Sequence, residues 1–193
     1  MTGPEGGYKA AVSDQIDSDG FRSNVGILLM RHDGHVFLGR RRGGKGWQFP
    51  QGGVQRDEAV ETALYRELRE EIGLTREQVD LRGATARWLR YRLPPKLVRR
   101  DTHPVCIGQK QRWFLLGLRD PETRFDFDQS ATPEFDDWRW TGYWEPLREV
   151  IAFKRKVYEK ALHELGAIAF PAGLPPYPDW WPDVAPSARR PGH

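Results

Sequence analysis

The run from Gly52 to Leu74, GGVQRDEAVETALYRELREEIGL, constrains this chain more than any other stretch. Glu67, Glu70 and Glu71 stand at i, i+3 and i+4, so on a helix their carboxylates leave one face within about one turn. Like charges that close repel one another. A helix gains nothing from such an arrangement unless cations sit between the carboxylates. Hard divalent cations that prefer oxygen ligands suit it, magnesium above all. Leu64, Leu68 and Ile72 form an apolar stripe beside the acidic face, so one side of the helix packs on a core while its neighbour faces a cleft. The pattern predicts a helix over 57–72, with Asp57 as N-cap and Gly73 as the stop. Arg66 and Glu58 lie too far apart for an i, i+4 pair, so Arg66 is expected to brace the loop or a neighbouring glutamate.

Around this helix the apolar pattern alternates between short strands and turns. Strands are expected at 24–30, 35–40, 47–51, 85–93, 112–118 and 138–144. A second helix is expected over 146–165, with Pro146 near its start and Gly166 at its end. Strands on both sides of one helix, with a closing helix, point to an α/β layered domain. The 193 residues suffice for one well-packed domain with tails. Boundaries are expected as a flexible N-terminal tail over 1–19, the domain over 20–166 and a Pro-rich tail over 167–193. Trp180 and Trp181 in that last tail are expected to dock on the domain or on a protein partner.

A net charge of +3 gathers in basic clusters at 40–45, 87–100, 110–112 and 154–156, compatible with a polyanionic substrate. Cys106 is the single cysteine, so no intramolecular disulfide forms and a reducing cytoplasm is expected. The chain starts without a signal-like segment and holds no apolar run of membrane-spanning length, so no membrane contact is expected.

The spacing Gly52, five residues, Glu58, seven residues, Arg66-Glu67-Leu68, one residue, Glu70-Glu71-Ile72-Gly73-Leu74 is similar to the signature of the Nudix hydrolases. The resemblance implies a Nudix-type α/β/α sandwich with a mixed sheet. It also implies hydrolysis of nucleoside diphosphates linked to a further group, with more than one Mg2+ or Mn2+ ion. Flanking motifs extend the likeness: Asn24-Val25-Gly26, Trp47-Gln48-Phe49-Pro50-Gln51, Trp88-Leu89-Arg90-Tyr91, 104–111, Thr132-Pro133-Glu134-Phe135 and Phe153-Lys154-Arg155. They resemble the subgroup of the family that acts on the 5′ ends of RNA, which also includes dinucleoside polyphosphate hydrolases. Two substrates are thereby implied. One is 5′-triphosphorylated or diphosphorylated RNA, trimmed to a 5′ monophosphate as a step towards decay. The other is a dinucleoside polyphosphate such as diadenosine tetraphosphate. A complete carboxylate set speaks against an RNA-binding module without catalysis.

By the same resemblance Glu67, Glu70, Glu71 and Glu134 are metal ligands, and Glu67, Glu71, Glu134 and Arg66 form the catalytic set, with Glu67 or Glu71 as base. Arg22, Arg41 and Lys154 resemble residues that hold phosphates or the RNA backbone, and Phe153 the platform on which a base stacks. Gly46 departs from the pattern, standing where members carry Ser before the Trp.

Overall fold

The structure, a computed structural model, describes residues 15–98, 100–101 and 103–181. Its frame is the pairing of β1 (Phe21–Met30) with β7 (Gly108–Leu118), parallel and in unbroken register from Phe21 opposite Gly108 to Met30 opposite Gly117. All other pairings are antiparallel. β2 (Val36–Arg41) carries β3 (Trp47–Gln48) and β8 (Phe135–Thr141), and β4 (Gln51–Gly53) lies on β1. β5 (Val79–Ala84) and β6 (Leu89–Arg92) lie on β7. The result is one mixed eight-stranded sheet.

The alternation of side chains along β1, β2 and β7 builds two cores from the same strands. Val25, Ile27, Leu29, Phe37, Phe114, Leu116 and Leu118 pack with Ala63, Leu64, Leu68 and Ile72 of α1 (Val60–Ile72). Leu28, Met30, Val36, Leu38, Trp113 and Leu115 pack with Val157, Tyr158, Ala161 and Leu165 of the last helix. The central strands are covered on both faces, and for that reason they read as apolar runs. The expected α/β sandwich with a mixed sheet is the fold observed. Among the described residues no helix is long and apolar enough to cross a membrane.

Several expectations about local structure need correction: the strand expected over 47–51 is two, β3 and β4, and those expected over 85–93 and 138–144 run over Leu89–Arg92 and Phe135–Thr141. The first helix starts at Val60, not near Asp57. Asp57 takes φ 61, a left-handed turn conformation incompatible with an N-cap, and Ala59 caps without a side-chain hydrogen bond. Gly73 does stop the helix, at φ 72, with its N–H donating to the Arg69 carbonyl.

The helix expected over 146–165 is two. α2 (Pro146–Glu149) ends where Val150 turns extended at ψ 148, and a 3-10 turn over Ala152–Lys154 leads into α3 (Arg155–Ala169). Apolar periodicity cannot register a break of two residues when buried Val150 keeps the stripe going.

The N-terminal tail, expected to be flexible, is tied down where it is described, and the C-terminal tail docks its tryptophans on the domain, one of the two expected outcomes. The Ser23 N–H donates to the Gln15 carbonyl and the Asp17 N–H to the Phe21 carbonyl, which ties residues 15–17 to β1. Residues 170–181 fold back on the domain, with Phe170, Tyr177, Trp180 and Trp181 packed against the α3 core. Residues 1–14 and 182–193 of the expected tails lie outside the described residues.

Tyr158 of α3 is fully buried, and its hydroxyl accepts the Phe49 N–H at 3.1 Å. That bond fastens the helix to the chain between β3 and β4, which leads into the acidic helix. Tyr158→Phe is expected to leave this buried N–H without a partner and lower stability by about 1–3 kcal/mol. Urea unfolding at constant m-value checks it.

Candidate active site

A cleft of about 350 Å³ opens between β1, β4, α1 and the loop before β8. It is lined by Arg22 and Asn24 of β1, Gln48, Gln51 and Gly52, Arg66, Glu67, Glu70 and Glu71 of α1, Gln109 of β7, and Glu134. Six of the residues singled out in the sequence, Arg22, Arg66, Glu67, Glu70, Glu71 and Glu134, thus meet in one cavity.

Each carboxylate has a distinct environment. Glu67 is buried, its carboxyl lodged against Gly52, where a Cβ would come within 1.8 Å of it. Only glycine can occupy that place on β4 with the carboxylate where it is. Burial raises the Glu67 pKa, against the pull of the Arg66 guanidinium. Glu71 accepts the Gln51 N–H at 2.8 Å. Withdrawal from water pushes its pKa well above the usual carboxylate range, and the charges of Glu67 and Glu134 push it further. Glu70 is the more exposed of the three and pairs with Arg66 at 3.3 Å.

Arg66 is the joint between helix and loop. Its Nε and Nη2 donate to the two oxygens of Glu58 at 2.8 Å each, Nη2 also to the Gly53 carbonyl at 2.7 Å, and Nη1 to Glu67 at 2.6 Å. The expected bracing role is what the geometry displays, and its partner is Glu58. The sequence placed Glu58 out of reach because i, i+4 spacing considers only the helix; the loop turns Glu58 back over it.

Glu134 comes from far along the chain. A register shift between Arg40 and Arg41 in the pairing of β2 with β8 brings Arg41 opposite Phe135, and the Arg42 N–H donates to the Glu134 carbonyl. The Glu134 side chain then accepts from Arg41 Nε at 2.8 Å and from Gln48 at 3.3 Å. Arg41 therefore stands behind Glu134, outside the lining of the cleft. Lys154 is buried and donates to the other end of Gln48 at 3.4 Å. Desolvation and the Arg41 charge bring its pKa down to about 8, although Glu134 and Glu71 oppose the shift. Phe153 lies apart from the cleft lining, its ring 5.8 Å from that of Tyr91, whose hydroxyl bonds Gln109 in the cleft.

Among the described residues no three acidic, histidine or cysteine side chains converge into a ready metal cage; the Arg66 guanidinium lies between Glu67 and Glu70.

The NUDIX domain model matches residues 20–162. The chain belongs to the Nudix family. The chain is 55% identical over 163 residues to the RNA pyrophosphohydrolase of Alkalilimnicola ehrlichii, covering 84% of this chain and 90% of that protein. It is 55% identical over 156 residues to the RNA pyrophosphohydrolase of Shewanella pealeana, covering 81% and 90%. Among solved structures, the E. coli dihydroneopterin triphosphate pyrophosphohydrolase superposes with a TM-score of 0.61 at 20% identity, over 79% of this chain and 99% of that one. The C. elegans Ap4A hydrolase binary complex gives 0.56 at 19%, over 79% and 98%. At those identities the likeness is one of fold.

This Nudix site contains polar residues that pattern reading passed over. Gln48, Gln51, Gln109 and Asn24 line it, and the signal was present: all four fall within the flanking motifs that carry the family likeness. Glu71 yields a test that needs no substrate. A carboxyl whose pKa is raised on folding stabilises the fold below its unfolded value of about 4.5 and loses that contribution as pH rises towards the folded value. Glu71→Gln, neutral throughout, is therefore expected to melt above the wild type at pH 7.5 in chelator. The difference should vanish near pH 4. Thermal melts across that range check the sign.

Proposed function

We propose that this protein is an RNA 5′ pyrophosphohydrolase, which removes phosphate or pyrophosphate from 5′-diphosphorylated or triphosphorylated RNA and leaves a 5′ monophosphate, a step that promotes mRNA decay. The observation that carries this reading is 55% identity, across 84% of the chain, to a relative named RNA pyrophosphohydrolase. The single cysteine suits a reducing cytoplasm, where we place the reaction.

Nudix hydrolases generally use divalent metal ions, and the residues here fit such ions. The donors are carboxylate oxygens, which hard cations prefer. Burial and the charges of Glu67 and Glu134 disfavour the Glu71 charge more than the Gln51 N–H and Lys154 support it. Glu67, Glu70, Glu71 and Glu134 would hold them, with Mg2+ or Mn2+ the candidates. Bound there, the ions supply charge neutralisation along the phosphate chain and acidify water at the site.

The chain's own groups do the rest. Water attacks phosphorus, the bridging P–O bond breaks, and the leaving phosphate or pyrophosphate takes the electron pair. Glu67 or Glu71 accepts the water proton; both line the cleft beside the place the ions would occupy. Arg66 keeps the loop and Glu67 in place. Arg41 orients Glu134, and Gln48 links Glu134 to Lys154. Arg22 faces the phosphates from β1. Phe153, backed by Tyr91, offers the surface on which a base stacks.

The deciding experiment incubates the protein and magnesium with 5′-labelled triphosphorylated RNA or with diadenosine tetraphosphate. Faster turnover of RNA supports the reading; faster turnover of the dinucleotide overturns it. Glu70→Gln and Glu71→Gln are expected to lower turnover by a factor on the order of 10² or more with the fold intact. Near-normal rates in both would remove the metal assignment. Glu134→Ala should cost far more activity than Glu122→Ala in the same polar region, and equal small effects would return Glu134 to a surface role. Phe153→Ala is expected to weaken RNA use by about 1–3 kcal/mol while mononucleotide turnover holds, because one stacking contact is lost. An unchanged ratio of the two rates would take Phe153 out of the RNA site.

A further inference from the structure

The segment that presents Phe153 and Lys154 is short and irregular. It lies between α2 and α3, with exposed Ile151 and Ala152 on its outer side. A two-residue extended break followed by a 3-10 turn has little internal hydrogen bonding to define it. The Lys154 N–H donates to the Ile151 carbonyl, and Lys154 and Phe153 touch Gln48 and Tyr91 on the inner side.

What fixes its two flanks comes from the other end of the chain. The Trp144 indole N–H donates to the Pro175 carbonyl at 2.9 Å, and the Tyr177 ring lies 4.7 Å from that of Trp144. This anchors the descending segment beside the start of α2. From there the two tryptophans separate. The Trp180 indole N–H donates to Glu145, at the N-terminal edge of α2, and Arg148 of α2 lies over its ring at 5.9 Å. Trp181 takes the guanidinium of Arg155, the first residue of α3, over its own ring at 5.7 Å. The rings themselves meet edge to face at 5.6 Å. One rigid aromatic pair thus touches the helix on each side of the segment. α2 in turn reaches the cleft wall, since Glu149 pairs with Arg139 at 2.8 Å and Arg139 lies over Trp47, the neighbour of Gln48.

We propose that Trp180 and Trp181 are positioning residues for the RNA substrate, spanning α2 and α3 so that Phe153 and Lys154 are held at the spacing the RNA end requires. Both tryptophans lie beyond residues 20–162, the part that matches the family model. The inference rests on the RNA reading above, in which the base platform and the phosphate site hold one RNA end together. It also assigns the described part of the C-terminal tail to its own domain.

The test uses the full chain with 5′-diphosphorylated RNA, read as KM and kcat separately, beside turnover of a nucleoside triphosphate. Trp181→Ala and Arg155→Gln remove opposite partners of one contact. Each is expected to raise the RNA KM about fivefold, with kcat and nucleoside triphosphate turnover within about twofold of wild type. The double variant should be no worse than either single one, because the two act through the same contact. Trp181→Phe, which keeps a ring under Arg155, should restore most of the KM. If Trp181→Ala fails to fold at the assay temperature, Arg155→Gln and Trp181→Phe carry the comparison. A lowered melting temperature with unchanged RNA KM in the folded variants would overturn the proposal, as would an equal loss on both substrates. A wild-type chain without activity on RNA would overturn the function itself; an active wild type with unaffected variants overturns only the positioning role.

Discussion

The fork of Arg66 on Glu58 is the interaction on which the site depends. Most helices of this length begin on a side chain that caps the first free N–H groups, and α1 begins on Ala59, which has none. The loop before it carries Asp57 in a left-handed conformation and has few hydrogen bonds of its own. Loop and helix are joined instead from the middle of α1. Arg66 reaches back to Glu58 with two parallel N–H donors and to the Gly53 carbonyl with one of them. A bidentate guanidinium–carboxylate pair with both partners largely out of water is strong as long as it is whole, and losing one partner leaves a desolvated charge. Glu58 accordingly titrates below its ordinary range, held there first by its hydrogen bonds from Arg66. With the same guanidinium bonded to Glu67, the strand that offers Gly52 and the helix that offers the carboxylates are locked in register.

That lock would achieve little on a pliant frame. Glu67 and Glu71 are carboxylates kept from water, which is unfavourable for the fold. They are tolerated because two buried apolar cores, one on each face of the sheet, hold the elements that carry them. One holds α1 by Leu64, Leu68 and Ile72; the other holds α3 through Tyr158 and Trp113. The parallel pairing of β1 with β7 belongs to both. Each strand then sends its polar residues to the one end where the layers separate. Arg22 and Asn24 arrive from β1 and Gln109 from β7, in register as Arg22 opposite Gln109.

How much of this was legible varies with the range of the interaction. The acidic face of α1 and its apolar stripe are set by spacing within one helix, so Glu67, Glu70, Glu71, Leu64 and Leu68 could be read directly. Gly73 as a stop is equally local. Asp57 misled because its side chain is a good cap in the abstract, while the loop's path gave it φ 61. β5 went unread because Val79–Ala84 has an exposed, polar outer half and makes sense as a strand only beside β7. The break after Glu149 depends on Val150 and Ile151 turning extended, which no periodicity records. Glu134 could be placed in the site by its motif, but its partner Arg41 depends on a register shift between two strands far apart in sequence. The tail tryptophans could be read as docking on the domain or on a partner, but not against which residues, since Arg148 and Arg155, which lie over them, come from two different helices.

Glu71 and Lys154 show the electrical state in which the cleft rests. Burial displaces both towards neutrality, the acid upwards and the base down to about 8, although each sits in the other's field and that field opposes both shifts. Their mutual attraction is thus weaker than the desolvation of either, and no direct ion pair joins them among the described residues. A cation among the carboxylates would draw the Glu71 pKa back down, and a phosphate near Lys154 would draw its pKa up, so each arrival opposes the effect of burial. A phosphate chain carrying a divalent metal ion brings both signs in one ligand. Displacing two opposite groups from their ordinary pKa values in the same cleft therefore favours that composite ligand over a bare cation or a bare polyanion, either of which would satisfy only one side.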